Sequence, residues 1–322
     1  MRPRVSIILA AHDAAARLPG AIRSALDQSL ADIEVVVADD ASTDDGPARV
    51  SEMAMTDPRL RLMRLPVNCG PAGARNAALD AARGDWVAIL DADDRFAPDR
   101  LETLLATAES VEADVMSDDL ALFDEETGAA LGPMFGGEPL PETLDACAFL
   151  AGSAPDPARP RRGTGFLKPL IRRAFLEARG LRYDPALRFA EDYAFHLRLL
   201  MAGARWRTEP AALYRYAVRR DSLTANHGPD DLEKLCAVDR AALAETGDPA
   251  LRRALRRHLR GTEKRAGWAR FIDRAKARDA LGLAGMAGRG PHVVGHIATA
   301  CAIEAASRSR RAAERLLRGD RV

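Results

Sequence analysis

The chain has 322 residues, of which 47% are hydrophobic, so it can bury a substantial core in one large domain or in a domain with an extension. Lys plus Arg and Asp plus Glu each number 47, and this balance argues against nucleic acid as the main partner. The four cysteines form no Cys-x-x-Cys pair and no apolar run is long enough to span a membrane, so we expect a cytoplasmic protein with reduced thiols.

Buried strands alternate with helices over the first part of the chain. Short stretches with apolar residues predict strands at residues 5–10, 33–38, 60–65, 86–90 and 114–117, of which the first two should be buried in the sheet. Apolar residues with helical spacing fall between them at residues 14–28, 72–82 and 100–110. Such a β-α-β series predicts an α/β fold, a doubly wound and mostly parallel sheet with helices on both faces.

The second half of the chain is less regular. Gly- and Pro-rich stretches predict a loop or hairpin at residues 128–141 and a surface loop at residues 152–165. Helical spacing returns at residues 188–201, and residues 211–218 predict a strand with aromatic side chains. Residues 230–322 are helical in pattern and basic, with 20 Lys and Arg against 12 Asp and Glu.

The segment Asp91-Ala92-Asp93-Asp94 directly follows the apolar run at residues 86–90. Side chains alternate along a strand, so Asp91 and Asp93 should point the same way. Two carboxylates at the carboxyl end of a parallel strand suit Mg²⁺ or Mn²⁺, which complete their shells with water and substrate phosphates. The segment therefore predicts metal-dependent handling of a phosphorylated donor. The alternative is a loop whose acids only face solvent.

Two further polar clusters also follow predicted strands. They are Ala11-His12-Asp13 and Asp39-Asp40. Ligands of doubly wound sheets bind beyond the carboxyl ends of the strands, where such clusters meet. We therefore expect the three clusters to converge on one cleft.

From about Val5 to about Asn226 the chain resembles the family 2 glycosyltransferases, inverting enzymes of the GT-A fold. Six segments carry the resemblance in the family's order: the strand from Val5 to Leu9 with His12-Asp13, the strand end Val36 to Asp44, the loop and helix Asn68 to Asn76, the acids Asp91 to Asp94, the pair Glu191-Asp192, and Tyr214 to Thr224 with Ser222. The chain departs from the common pattern at Ala10, Ala11 and His12, where hydroxyl or aromatic residues are frequent. Among subgroups it resembles the bacterial exopolysaccharide glucosyltransferases of the succinoglycan type.

The resemblance implies a UDP-sugar donor and a set of residues that bind it. The implied nucleotide contacts are Asp39, Asp40, Arg75, Asp91, Ala10 and His12. Asp39 would accept the uracil imide N–H, and Asp91 would reach the ribose or a metal-bound water. Arg75 would stack on the nucleotide or donate to it, and the alternative for Arg75 is a solvent-facing arginine on a helix.

The resemblance also implies a divalent ion, Mn²⁺ or Mg²⁺, that assists the departure of the diphosphate. Asp93 is the implied ligand, and Asp91 and His227 are further candidates. A lone histidine in a loop, such as His227 or His12, is more often solvated.

The acidic pair Glu191-Asp192 supplies the implied base. Asp192 would take the proton of the acceptor hydroxyl, with Glu191 as the close alternative, although both acids also suit the N-terminus of a helix. Arg219 and Arg220 are candidates to clamp the diphosphate, and a solvated basic pair would explain them equally well.

The implied activity is transfer of a sugar, with glucose as the first candidate, from a UDP-sugar to a saccharide or lipid-linked saccharide acceptor in surface or exopolysaccharide synthesis. Residues 1–230 would form the GT-A domain, with a nucleotide-sugar half at about 1–120 and an acceptor half at about 121–230. Residues 231–322 would form a basic helical extension. Its arginines suggest peripheral contact with the inner membrane, although charged runs are usually just solvated.

Two other classes remain open. A metal-dependent nucleotidyltransferase also uses a doubly wound sheet and acids, but it needs a Gly-rich basic signature where this chain has His12-Asp13-Ala14-Ala15-Ala16. A catalytically inactive nucleotide-sugar-binding module would keep the fold, and the acids Asp91, Asp93 and Asp192 argue against it. Release of UDP rather than pyrophosphate would exclude the first, and metal-dependent hydrolysis of a UDP-sugar would exclude the second.

Overall fold

The computed structural model describes residues 2–136, 138–154, 162–219 and 228–303. The chain divides into two compact units, Met1–Asn226 and His227–Val322. The described part of the first unit is built around one sheet, and the described part of the second is helical.

The strands of the first unit are short and numerous. They are β1 Val5–Ala11, β2 Ile33–Asp39, β3 Leu60–Arg64, β4 Trp86–Ile89, β5 Arg95–Phe96, β6 Val115–Asp124, β7 Ala130–Pro133, β8 Leu170–Arg172 and β9 Trp206–Val218. They form one sheet in the order β3-β2-β1-β4-β8-β6-β9-β5, with β7 paired to β6.

Helices connect most of these strands. They are α1 Leu18–Leu26, α2 Gly46–Thr56, α3 Gly70–Ala81, α4 Arg100–Ser110, α5 Ala146–Gly152, α6 Arg173–Ala178 and α7 Glu191–Met201. A 3-10 turn, Thr164–Phe166, precedes β8.

The four strands β3, β2, β1 and β4 are parallel neighbours, as the sequence predicts. Every residue of β2 and β4 is buried, including Glu34 and Asp39, as expected in a sheet covered on both faces. Ala11 pairs with Asp39, and Ile8 pairs with Ile89, so the carboxyl ends of these strands meet at one edge. The three predicted polar clusters therefore follow adjacent strands.

The second half of the sheet adds antiparallel pairs that the sequence did not predict. Strand β8 runs antiparallel to both β4 and β6, β7 to β6, and β5 to β9, whereas β6 and β9 are parallel. Residues 125–129 join β6 to β7, and only antiparallel strands can share so short a turn. The stretch at residues 128–141 therefore begins as a hairpin. Residues 155–161 of the predicted surface loop lie outside the described residues.

The second unit contains α8 Pro229–Glu245, α9 Pro249–Lys276 and α10 Ala280–Gly285. Helices α8 and α9 pack against each other, and buried His258 Nδ1 lies 2.8 Å from Asp239 Oδ2 between them. Within the described ranges, none of the helices has both the length and the apolar composition of a membrane span.

Candidate active site

The loops that follow β1 and β2 are bonded to each other. Asp13 Oδ1 accepts hydrogen bonds from the backbone N–H groups of Thr43 (2.8 Å) and Asp44 (3.3 Å). Asp13 has a φ of 46°, and Ala41, after β2, has a φ of 58°. Residues with a Cβ avoid this left-handed region, and the strain persists only where the surroundings enforce it, often at functional sites.

Asp40 holds the loop that precedes α3. Its Oδ1 accepts the backbone N–H of Cys69 at 2.6 Å, and its Oδ2 accepts that of Gly70 at 2.8 Å. Gly70 has a φ of 75°, which glycine adopts without strain. Both Asp40 oxygens thus bind backbone, so this residue shapes the loop, and its direct contact with the nucleotide stays a prediction.

The predicted uracil contact, Asp39, lies at the end of β2 and is 2% exposed. Arg64 Nε lies 3.4 Å from Asp39 Oδ2. Ala10 is half-buried in the adjacent strand β1, and His12 is exposed, with Nε2 3.5 Å from Asp13 Oδ2. The structure therefore brings Asp39, Ala10 and His12 to neighbouring strand ends.

Arg75 is 5% exposed, so the alternative of a solvent-facing arginine is wrong. Its Nη2 donates to Asp91 Oδ1 and its Nη1 to Glu191 Oε1, both at 2.7 Å. Nη1 also lies 3.5 Å from Asp192 Oδ1, and the guanidinium carbon lies 5.4 Å from the centre of the Tyr183 ring. Arg75 therefore joins the acidic segment after β4 to the acidic pair of α7.

Lys168, which was not predicted as a site residue, bridges the same two groups. Its Nζ lies 2.6 Å from Asp91 Oδ2 and 2.6 Å from Asp192 Oδ2, and the residue is 4% exposed. Arg75, Asp91, Lys168 and Asp192 thus form a closed ring of alternating charge, which we call the charge ring. The sequence signal for Lys168 is its place within an otherwise apolar run, residues 166–171, where a charge needs a buried partner.

Opposite charges keep the members of the charge ring ionised. Burial alone would raise the pKa of Asp91, but Lys168 and Arg75 outweigh it and hold that pKa below its usual range. Burial would also raise the pKa of Asp192, but Arg75 and Lys168 lower it. Burial would lower the pKa of Lys168, whereas Asp192 and Asp91 raise it well above its usual value. Asp192 is therefore in the form that can accept a proton.

The acidic segment after β4 gathers three carboxylates. Single oxygens of Asp91, Asp93 and Asp94 lie within 4.8 Å of one another. Asp94 Oδ2 accepts the hydroxyl of Tyr214 at 2.8 Å, and its Oδ1 accepts the backbone N–H of Ala217 at 2.7 Å. Burial, and then the neighbouring carboxylates, raise the pKa of both Asp93 and Asp94. Mutually repelling hard oxygen donors of this kind fit a divalent cation.

Asp93 is the carboxylate of this segment best suited to bind an ion. Its side chain is 22% exposed, and its Oδ2 lies 2.6 Å from Arg219 Nη2. Asp91, in contrast, has one oxygen on Arg75 and the other on Lys168. The predicted residues His227, Ser222 and Arg220 lie outside the described residues.

The acidic pair opens α7 after a strained residue. Ala190 has a φ of 58°, and Glu191 and Asp192 follow it in the first turn of the helix. Asp192 Oδ1 is buried and accepts no hydrogen bond from the described residues, whereas Glu191 Oε1 is bonded to Arg75. Asp192 Oδ1, which lies 3.5 Å from Arg75 Nη1, therefore remains open to accept a hydrogen bond.

His196 lies one helical turn after Asp192 and is fully buried. Its ring packs edge-on against Phe149 and Trp206, with centroids 6.0 and 5.1 Å apart. Burial lowers the pKa of His196 to about 4, so this histidine is neutral at pH 7 and gives Asp192 no counter-charge.

Comparison with known proteins decides the family. Residues 6–135 match glycosyl transferase family 2. The succinoglycan biosynthesis protein ExoO of Rhizobium meliloti (strain 1021) is 35% identical over 98% of this chain and 88% of its own length. The chain belongs to glycosyl transferase family 2. A second member, the succinoglycan biosynthesis protein ExoU of the same organism, is 38% identical over 84% of this chain and 78% of its own length.

Solved structures share the fold of this family 2 chain at lower identity. S. aureus TarS 1–349 in complex with UDP has a TM-score of 0.63 and 18% identity, and the match covers 88% of this chain and 90% of that one. The mannosyltransferase PcManGT from Pyrobaculum calidifontis, in complex with GDP-Man and Mn²⁺, has a TM-score of 0.59 and 21% identity over 98% of this chain and 81% of its own. The chain has the GT-A fold, as the resemblance predicts, and family membership makes it a glycosyltransferase rather than a nucleotidyltransferase.

Proposed function

We propose that the chain transfers a hexose, with glucose as the first candidate, from a UDP-sugar to a saccharide or lipid-linked saccharide acceptor, with inversion at the anomeric carbon. The charge ring carries this proposal, because Lys168 joins the donor-side carboxylate Asp91 to the acidic residue Asp192 at 2.6 Å each. Glycosyl transfer needs donor and acceptor groups held together at one point. The names of the two succinoglycan relatives support a place in exopolysaccharide synthesis.

The donor nucleotide would lie across the ends of β1 and β2. Asp39 would accept the uracil imide N–H, and its burial shields that hydrogen bond from competing water. Ala10 and His12 would line the same part of the site from β1. Asp40 would act by holding the loop at Cys69 in place.

A Mn²⁺ or Mg²⁺ ion, when bound, would act as a Lewis acid that neutralises the diphosphate leaving group. Asp93 would hold it, with Asp91 and His227 as further candidate ligands. Arg219, which lies beside Asp93, would donate hydrogen bonds to the diphosphate.

Asp192 would act as the general base. It would accept the proton of the acceptor hydroxyl while that oxygen bonds to the anomeric carbon. The bond from that carbon to the diphosphate oxygen breaks, UDP leaves on the opposite face, and the configuration inverts. Asp192 Oδ1 accepts no hydrogen bond from the described residues, which supports this assignment, and Glu191, bonded to Arg75, would orient the acceptor.

A donor screen tests the proposal. The chain is incubated with UDP-glucose, other UDP-hexoses and GDP-mannose, with Mn²⁺ or with chelator, and released nucleotide and pyrophosphate are measured separately. We expect metal-dependent release of UDP from one UDP-hexose, and release of the sugar in the β configuration from the α-linked donor. Absence of turnover with every UDP-hexose, metal independence or release of the sugar in the α configuration would reject the proposal as stated.

We also propose that the second unit contacts the cytoplasmic face of an anionic membrane. Arg253, Arg256, Arg257 and Arg260 are exposed on α9 at spacings of three and four residues, which place them on one face of the helix. Among the described residues, none of these four has an acidic partner within ion-pair distance. Anionic lipid headgroups would supply the missing negative charge.

Vesicle flotation tests this contact. The full chain should bind phosphatidylglycerol vesicles at low salt and not phosphatidylcholine vesicles. Replacement of the four arginines by glutamine should abolish binding, whereas the same change at exposed Arg49 and Arg83 should not. Equal binding of both vesicle types, or full binding by the quadruple variant, would reject the contact.

A further inference from the structure

We infer that Lys168 is a positioning residue that sets the separation between the donor-side carboxylate Asp91 and the base Asp192. This inference rests on the proposed glycosyl transfer. It gives a role in that reaction to Lys168, to which the proposed mechanism assigns none. The ammonium lies 2.6 Å from one oxygen of each acid, so it is the shortest link between the two. Arg75, the other cation of the charge ring, approaches Asp192 only to 3.5 Å.

Lys168 is anchored through its backbone as well as its side chain. Its carbonyl oxygen accepts a hydrogen bond of 2.5 Å from Arg100 Nη2. Arg100 pairs with Asp118 at 2.7 Å, and both side chains of that pair are fully buried. Because both the backbone carbonyl and the ammonium of Lys168 are held by partners, the lysine can fix the positions of the two acids that it binds.

The charges of the ring explain why the link is needed. Asp91 and Asp192 are both partly buried anions, and the repulsion between their carboxylates grows once Lys168 is removed. Arg75 is hydrogen-bonded to Asp91 and Glu191 and reaches Asp192 Oδ1 only at 3.5 Å, so it holds Asp192 less closely than Lys168 does. Without the lysine, we expect the base to move away from Asp91 and hence from the donor.

Composition adds an independent argument for an ammonium at this position. The chain contains 43 Arg and 4 Lys, and Lys168 is the only lysine before Lys234. Nearly every other cationic side chain is an arginine, but the position where one nitrogen contacts both Asp91 and Asp192 is occupied by a lysine. A compact ammonium can donate to both from one point, whereas a planar guanidinium spreads its donors over a fork.

The position of the base matters more for transfer than for hydrolysis. A displacement of about 1 Å in a reacting group can cost roughly 10²-fold in rate. The acceptor saccharide is held in one orientation and cannot follow a displaced base. Water is small and can reach the anomeric carbon from several directions, so hydrolysis of the donor should fall less than transfer.

The test compares wild type with Lys168→Met, Lys168→Arg and the control Arg61→Met. Arg61 pairs with Glu34 at 2.9 Å at the amino end of β2, the opposite end of that strand from Asp39. The readouts are kcat for transfer, the rate of donor hydrolysis, the Kd for UDP and the melting temperature. We expect Lys168→Met to lower transfer roughly 10²-fold, to lower hydrolysis less, and to keep UDP binding. The control should keep the wild-type ratio of transfer to hydrolysis.

Lys168→Arg keeps the positive charge and serves if Lys168→Met fails to fold. Positioning by a single nitrogen predicts a lowered transfer-to-hydrolysis ratio in this variant too, and a wild-type ratio would overturn the inference. In an Asp192→Asn background, Lys168→Met should cost little further transfer, since both changes act through one group. If the losses of transfer rate caused by Lys168→Met and Asp192→Asn were fully additive in free energy, the inference would also be overturned. Wild type without any sugar transfer would instead reject the proposed function.

Discussion

Arg219 Nη2 lies 2.6 Å from Asp93 Oδ2, so an arginine just beyond β9 neutralises the carboxylate that we propose as the metal ligand. A guanidinium and a divalent cation at the same carboxylate repel each other, so Arg219 and the ion compete electrostatically for Asp93. Binding of the ion should therefore favour movement of the guanidinium toward the diphosphate.

Arg219→Gln should accordingly bind Mn²⁺ more tightly than wild type in the absence of donor, because the competing cation is gone. It should also turn over more slowly, because the diphosphate loses a charged donor. Titration of Mn²⁺ followed by calorimetry measures the first effect, with exposed Arg49→Gln as the control. Asp93→Ala should lose both the binding and the metal-dependent turnover. Weaker Mn²⁺ binding in Arg219→Gln would contradict the competition.

Asp192→Asn should slow sugar transfer by about 10²- to 10⁴-fold, the usual contribution of a positioned general base. The amide cannot accept the proton, but it leaves the proposed nucleotide contacts at β1 and β2 unchanged. The Kd for UDP should therefore match that of wild type. Glu191→Gln is the matched comparison and should reduce transfer less. Loss of UDP binding in Asp192→Asn, or a larger effect at Glu191, would reassign the base.

Arg75→Met should destabilise the fold by about 3–5 kcal/mol, the usual cost of removing one partner from a buried ion pair. The methionine leaves the partly buried Asp91 and Glu191 without their shared guanidinium. Urea unfolding at pH 7 measures the free energy. Arg4→Met, which removes an exposed pair with Glu109, should change it by less than about 1 kcal/mol. Equal effects of the two changes would show that Arg75 is not buried as described.

The stability of the fold should depend on the ionisation of Glu34. Burial would raise the pKa of Glu34, but hydrogen bonds from Ser6, the backbone N–H of Arg83 and Arg61 outweigh it and hold that pKa below its usual value of 4.5. A lowered folded-state pKa stabilises the fold above the unfolded pKa, and this stabilisation is lost as the pH falls through the folded-state value.

Glu34→Gln should therefore lower the free energy of unfolding at pH 7, and the difference from wild type should shrink as the pH falls below about 4.5. Denaturant unfolding at several pH values measures it. Glu52→Gln, on the exposed side of α2, should show no such trend. A difference that grows toward low pH would mean that the pKa of Glu34 is raised rather than lowered.

Local pattern was sufficient to predict the parallel strands and the acids at their ends, because strands buried on both faces are rich in apolar residues, as β1 and β2 are. It was insufficient for β5 and β8, whose two and three residues are too few to show a period. Arg75 was found through its motif, but its buried position depends on Glu191, which lies 116 residues away. Lys168 has no such motif, and its partners Asp91 and Asp192 come from two distant segments, so the sequence shows a charge within an apolar run but not what that charge binds.

Strand β8 is hydrogen-bonded to β4 on one side and to β6 on the other, so β1 to β4 and the strands beyond them belong to a single continuous sheet. Two halves of a sheet joined in this way cannot swing apart about a flexible hinge without breaking backbone pairing in the middle of the core. Substrate entry and product exit must then rely on movements of the segments around the sheet. Turnover should accordingly respond to changes in those segments while the framework beneath them stays rigid.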